Sequence, residues 1–256
     1  MPSNTAGEVA RPEPTAGSKT TTLSSPSPAV HYRPHQDPRS SHQQIFRLVR
    51  ELAQAGKTPV LDVGCAQGML GQMLAESGMS IDIDGVEMNP AWAEMARPWY
   101  RDVWTNTIEE APLREKLYRT IVCGDVLEHV LDPVAVLTRL RRASTDDAKF
   151  IISLPNVAHL AVRLMLLCGR FPQMPKGILD RTHLHFYTKD TAIDMLAAAG
   201  LKVERASVTG VPIDELWKRG EGNFLFRALV RTQHLFLSLL PRMFGYQWIF
   251  VASAAP

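Results

Sequence analysis

Pro59-Val-Leu-Asp-Val-Gly-Cys-Ala-Gln-Gly-Met-Leu-Gly71 is the stretch that decides the fold. Its apolar run is short and closed by glycines, which reads as a buried central strand of a parallel sheet feeding a tight turn. Gly64 and Gly68 stand in that turn and Gly71 one turn into the next helix, where glycine permits φ > 0 and lets a ligand approach the backbone. Downstream, a helix over 69–77 closed by Gly78 leads to a strand over 81–88, and Asn89-Pro90 supplies an N-cap and an N1 proline for a helix toward Arg97. The same grammar gives a strand over 120–123, a helix from Asp132-Pro133 to Leu140, a strand over 150–154 and a helix over 188–199 capped by Gly200. Upstream, Ile45, Phe46, Val49 and Leu52 follow helical spacing until Gly56. Strand and helix alternating in this way predict an α/β, doubly wound parallel sheet. The last two strands, 201–208 and 246–252, lack a helical crossover of the usual kind, so an antiparallel edge hairpin is expected at the terminus.

The chain has 256 residues, 45% of them hydrophobic and 21% charged, enough for one α/β domain over 31–256. Residues 1–30, rich in Pro, Ser, Thr and Gly, are expected to form a disordered tail. A net charge of +2, from 28 basic against 26 acidic side chains, excludes the electrostatic footprint that nucleic-acid binders carry. Cys65, Cys123 and Cys168 are odd in number and lack CxxC spacing, so neither a disulfide framework nor a zinc site follows, and a reducing cytoplasm is the expected location. Neither an apolar signal core nor an uninterrupted membrane-spanning run is present.

The glycine spacing is not the dinucleotide GxGxxG, because Ala66 and Gln67 interrupt it. This argues against a nicotinamide-dependent oxidoreductase and suits adenosine joined to an amino-acid moiety. Glu87 ends the second strand 25 residues after Asp62, and a carboxylate there can accept both hydroxyls of a ribose. With these residues the sequence resembles the class I S-adenosylmethionine methyltransferases, whose first motif is an LDxGCGxG-like turn, on a Rossmann-like sheet that is mostly parallel with an antiparallel terminal strand. The resemblance implies S-adenosylmethionine as cofactor. Gly64 and Gly68 then line its methionine, Asp62 holds its ammonium, Glu87 grips its ribose and Met88 packs on its adenine. Asn106, beside Ile108, takes the place of the family's acidic adenine contact, and Asp125 is assigned to the cofactor as well.

The stretch Gly124-Asp-Val-Leu-Glu-His-Val-Leu-Asp-Pro follows the strand over 120–123, and open α/β sheets bind ligands at the carboxyl ends of strands. Asp125, Glu128 and His129 are therefore expected near the transfer point, with helix capping as the structural alternative. This segment resembles the ubiquinone O-methyltransferases. A second group, Pro155-Asn-Val-Ala-His159 and Gly177-Ile-Leu-Asp-Arg-Thr-His-Leu-His-Phe-Tyr-Thr188, resembles the PNxxH and GILDRTHLRFFT motifs of one bacterial methyltransferase branch. His183 and His129 are the candidate catalytic groups, because a base is needed when the acceptor is a hydroxyl and imidazole titrates near working pH. Tyr32, His159, His185 and Tyr187 are the candidate acceptor contacts. Adjacent ligand types in a single loop do not make a metal site, so no metal is assigned.

The expected acceptor is a small molecule: a hydroxyl of a sugar, a glycan-lipid or a secondary metabolite. An N- or C-methyltransferase and a catalytically silent binding module are the alternatives. Residues 212–245 mix Phe224, Phe226, Leu235 and Phe236 with Arg227 and Arg231, which suits either a helical lid or a weak peripheral contact with the inner membrane face.

Overall fold

The computed structural model describes residues 38–212 and 224–255, apart from the side chains of 225–227 and 229. The expected tail and Tyr32 lie outside the described residues. In chain order the elements are α1 (Ser41–Gln54), β1 (Val60–Val63), α2 (Met69–Glu76), β2 (Ile83–Val86), α3 (Pro90–Ala96) with a 3-10 turn over Arg97–Trp99, and β3 (Asp102–Trp104). Then come β4 (Tyr118–Gly124), α4 (Pro133–Ala143), β5 (Ser144–Pro155), α5 (Leu160–Leu167), α6 (Lys189–Ala198), β6 (Leu201–Val208), α7 (Phe224–Leu239), α8 (Pro241–Phe244) and β7 (Gln247–Ala254).

Seven strands form one sheet in the order β3-β2-β1-β4-β5-β7-β6. The reversal of strand order beside β1 and β4 is the switch point at which open α/β sheets hold ligands, and Asp62 sits there opposite Gly85 and Val122. The expected terminal reversal is present: β6 and β7 pair antiparallel at the edge of the sheet, with β7 between β5 and β6 and antiparallel to both.

All four β1 residues are buried because both faces of the sheet are covered. The two-residue period of the strand sends Leu61 and Val63 to one side, against Ile121, Phe150, Leu137 and Leu196. Val60 goes to the other, with Val122 and Ile151 under Ile45, Val49 and Leu74. Burial of each such side chain contributes about 1.5 to 3 kcal/mol. Helix starts follow the side chains that cap them: Asn89 accepts from the amides of Ala91 and Trp92, Asp132 from that of Ala135, and Thr188 with Thr191 forms a capping box on α6.

Candidate active site

The turn after β1 is tied to β2 by the amides of Gly64 and Cys65, which both donate to the Val86 carbonyl at 2.8 and 3.1 Å. Gly64 and Gly68 have φ of +70° and +85°. A Cβ on Gly68 would lie 2.7 Å from the Ala96 Cα, so this glycine serves the packing of α3 as well as the turn. Ala66 sits between them at φ +47°, a region in which a Cβ costs roughly 1 kcal/mol or more. Ala66→Gly is therefore expected to be neutral or to stabilise by up to ~1 kcal/mol, after the looser unfolded chain is counted. Urea unfolding checks this; a loss above ~1 kcal/mol would show that the alanine methyl packs favourably.

Two buried carboxyl groups flank the turn. One Asp62 oxygen accepts the Tyr100 hydroxyl at 2.6 Å, and that hydroxyl in turn accepts the Gly71 amide at 3.3 Å. Burial pushes Asp62 up to about 7, against the lowering effect of Tyr100, and neighbouring Glu87 adds to the rise. Glu87 accepts the Ala66 amide at 2.9 Å and the Asn89 amide at 2.8 Å, so it joins the glycine turn to the start of α3; burial raises it too, against those two bonds. Among the described residues no Lys or Arg forms an ion pair with either group. Buried carboxylates without a cation are costly, and a ligand carrying an ammonium and a vicinal diol is the chemistry that compensates them. The pair thus fits S-adenosylmethionine. Met88, beside them, is 72% exposed and free to cover a base, and Asn106 is half-buried. Ile108 is buried in the core next to Val86, so it has little side-chain surface to offer a ligand.

The loop after β4 begins with Asp125 at φ +55°, a strained position for a residue with a side chain. Its carboxylate is held from two other strands, by the Ser153 hydroxyl at 2.7 Å and the Gln247 amide at 2.8 Å. Glu128 is 1% exposed, and neither of its carboxylate oxygens has a hydrogen-bond partner on another residue. Burial, with Asp125 nearby, raises it well above the usual carboxylate range. The Glu128 carbonyl accepts the amides of Leu184 and His185, which clips the 177–187 loop onto the β4 loop. His129 and His183 thereby meet edge to face, with ring centroids 4.8 Å apart.

The remaining loop residues set the imidazoles. Asp180 accepts both the amide and the hydroxyl of Thr182, at 2.8 and 2.7 Å, rather than pairing with Arg181. Thr182 then presents its carbonyl 3.2 Å and its hydroxyl oxygen 3.3 Å from Nδ1 of His129. Because that hydroxyl already donates to Asp180, the contact requires Nδ1–H on His129. Nδ1 of His183 lies 3.1 Å from the Ile178 carbonyl, which likewise fixes its proton there. Both Nε2 atoms are left with lone pairs. Burial, with His129 adding to it, holds His183 below the usual histidine range.

Three other candidates have local structural employment. His159 caps α5, its Nδ1 accepting the Ala161 amide at 3.2 Å, and burial lowers it. His185 points its Nε2 at the Val130 carbonyl, 3.0 Å away, and Tyr187 is a core residue whose hydroxyl burial pushes up to about 12. A groove of about 560 Å³ between α6 and β6, lined by Ile193, Ala197 and Val203, contains none of these groups and lies at the β6 edge of the sheet. Thr182 and the Ile178 carbonyl were not singled out by sequence reasoning. A carbonyl carries no side-chain signature, although the Asp180-x-Thr182 spacing marks the turn that aims it.

Residues 31–206 match the family model described as a methyltransferase domain. The chain belongs to this family. Among its methyltransferase relatives, the ubiquinone biosynthesis O-methyltransferase of Vibrio vulnificus strain YJ016 is 34% identical over 186 residues, 68% of this chain and 76% of the relative. The corresponding enzyme of Aeromonas salmonicida strain A449 is 27% identical over 188 residues, 68% and 77% of the two chains. A crystal structure of a SAM-dependent methyltransferase from Archaeoglobus fulgidus shares the fold with a TM-score of 0.55 at 18% identity, covering 84% of this chain and 95% of that one. The methyltransferase is thus an S-adenosylmethionine-dependent enzyme with a class I fold. No helix among the described residues is long and apolar enough to cross a membrane.

Proposed function

We propose that this enzyme transfers the methyl group of S-adenosylmethionine to a hydroxyl of a small molecule, in the class of sugars, lipid-linked glycans and secondary metabolites. The observation that carries the reading is the apposition of Glu128, His129 and His183 at the carboxyl end of β4, with both imidazoles held in the Nδ1–H form. Asp62 and Glu87 receive the cofactor's ammonium and ribose, and Met88 covers its adenine. The cofactor supplies an already activated methyl group. What the chain must do is align the acceptor oxygen in line with the methyl–sulfur bond, exclude water, and take up the hydroxyl proton. The Nε2 lone pair of His183 is the group assigned to activating that hydroxyl. The test is a panel of hydroxyl acceptors and their amine counterparts; methylation confined to the amines would reject the hydroxyl.

Cofactor recognition should be coupled to protons. Asp62 ionises near 3.8 in an unfolded chain and near 7 in the ligand-free fold, so ligand-free stability falls as pH rises through that window. An ammonium beside the carboxylate restores ionisation. Cofactor affinity is therefore expected to rise with pH up to about 7, and binding near pH 6 should release close to one proton. Calorimetry in buffers of different ionisation enthalpy reads this, and Asp62→Asn should remove most of the release. Release unchanged in Asp62→Asn would move the ammonium elsewhere.

A weak membrane contact through α7 is a second reading. It is supported by Phe224, Leu235 and Leu239, which are 80%, 57% and 64% exposed, while among the described side chains of that stretch Leu237 is the buried one. Phe236 is 38% exposed and stacks on Phe244, and the Phe226 side chain lies outside the described residues.

A further inference from the structure

We infer that Glu128, His129 and His183 form a binding site for a divalent transition cation of the zinc class. One ligand atom from each residue lies within 4.8 Å of the other two. Four-coordinate zinc, with bonds of about 2.0 to 2.2 Å, needs ligand atoms roughly 3.4 Å apart, so rotamer adjustments of about an ångström close the triangle. The set of two imidazoles and one carboxylate, with coordination positions left open, is the one that holds catalytic zinc.

Three independent features go beyond residue type. The Glu128 carboxylate is buried without a hydrogen-bond partner on another residue, an arrangement that a cation relieves. Each histidine gives Nδ1–H to a backbone carbonyl, Thr182 for His129 and Ile178 for His183, which is the outer contact that orients metal-binding imidazoles and frees Nε2 for the ion. The ligands also come from two segments, the β4 loop and the 177–187 loop, locked together by the Glu128 carbonyl, so the site exists only in the folded chain. Asp125 is turned instead toward Ser153 and Gln247, and it is not among the residues whose ligand atoms converge.

The cation's role rests on the hydroxyl reading above; its binding does not. At this position it polarises an acceptor hydroxyl and makes its proton more acidic. The proton leaves to solvent, the oxygen forms its bond to the methyl carbon, and the carbon–sulfur bond breaks with its electron pair remaining on sulfur. His183 then contributes its Nε2 lone pair as a ligand rather than as a proton acceptor, and both roles require the same tautomer.

The test uses the full chain freed of metal by chelation and titrated with Zn²⁺ alone, then with Co²⁺ as an absorbing substitute. One equivalent of zinc is expected, with visible Co²⁺ bands of a low-coordinate nitrogen–oxygen site. His129→Ala and His183→Ala should each weaken zinc binding about a hundredfold and Glu128→Gln at least about tenfold, with S-adenosylhomocysteine affinity retained as the control for folding. His129 is exposed, so its replacement leaves the fold intact even where that of Glu128 does not. Failure of the wild-type chain to bind zinc, or equal binding by the double histidine variant, overturns the site. Methylation of hydroxyls unaffected by chelation overturns the cation's role in transfer while the proposed function stands; zinc bound as expected without methylation of any hydroxyl supports the site and overturns that function.

Discussion

Replacing His183 by alanine is expected to lower methyl-transfer turnover by about 10² to 10⁴ while cofactor affinity holds. The expectation follows from the loop that carries it. Asp180 bends the chain through Thr182, the Glu128 carbonyl clips the next two amides, and the Ile178 carbonyl fixes the imidazole proton on Nδ1. Nothing in that arrangement touches Asp62 or Glu87, so binding of S-adenosylhomocysteine is the internal control. His129→Ala belongs in the same experiment. Comparable losses in the two variants indicate joint ligation, whereas a larger loss in His183→Ala indicates proton acceptance by its Nε2. If His183→Ala lowers thermal stability but preserves turnover per folded molecule, the residue is structural.

Glu87→Ala should reduce cofactor affinity by more than tenfold, because two charge-assisted hydrogen bonds to the ribose, worth about 1.5 to 3 kcal/mol each before relaxation, are lost. Glu87 also accepts the amides of Ala66 and Asn89, so the same change loosens the glycine turn. Glu87→Gln is the milder variant: its amide keeps one acceptor oxygen for the backbone and turns a donor toward the second backbone amide, so it should weaken both the turn and the ribose contact less than alanine does. Calorimetric titration with S-adenosylhomocysteine measures both variants. Affinity unchanged in a folded Glu87→Ala protein would remove the ribose assignment.

The central architecture was legible because its signals are local and redundant. The apolar run at Val60–Val63 ends in glycines, Asn89-Pro90 and Asp132-Pro133 both cap and pre-set their helices, and the acidic residue closing β2 lies at the expected place. What was missed lacked such signals. Strand β3 has three residues, too few for a period, and β5 begins at Ser144 with a polar Asp146-Asp147 stretch at a register irregularity, beyond which pairing with β4 resumes at Lys149. Helix α5 was absent from the sequence reading because its leucines do not form a core face: Leu164, Leu166 and Leu167 are exposed and only Val162 is buried. The insertion of β7 between β5 and β6 is decided by tertiary pairing, which residue order does not encode locally.

At the site, the sequence identified groups but not their states. His129, His183 and Glu128 were recognisable as chemistry-bearing residues, yet the isolation of the Glu128 carboxylate and the tautomers of the two histidines depend on carbonyls contributed from elsewhere in the chain. His159 and His185 show the converse: imidazoles in promising motifs, one capping a helix and the other facing the Val130 carbonyl.

The most direct test of the account is transfer of a trideuteromethyl group from labelled S-adenosylmethionine to a panel of hydroxyl acceptors, followed by mass spectrometry for the wild-type and His183→Ala enzymes in parallel. The account predicts a labelled methyl ether with the wild-type enzyme, formed with release of S-adenosylhomocysteine and strongly reduced in the variant. Label found on nitrogen or carbon instead, at equal rates in both enzymes, would contradict it.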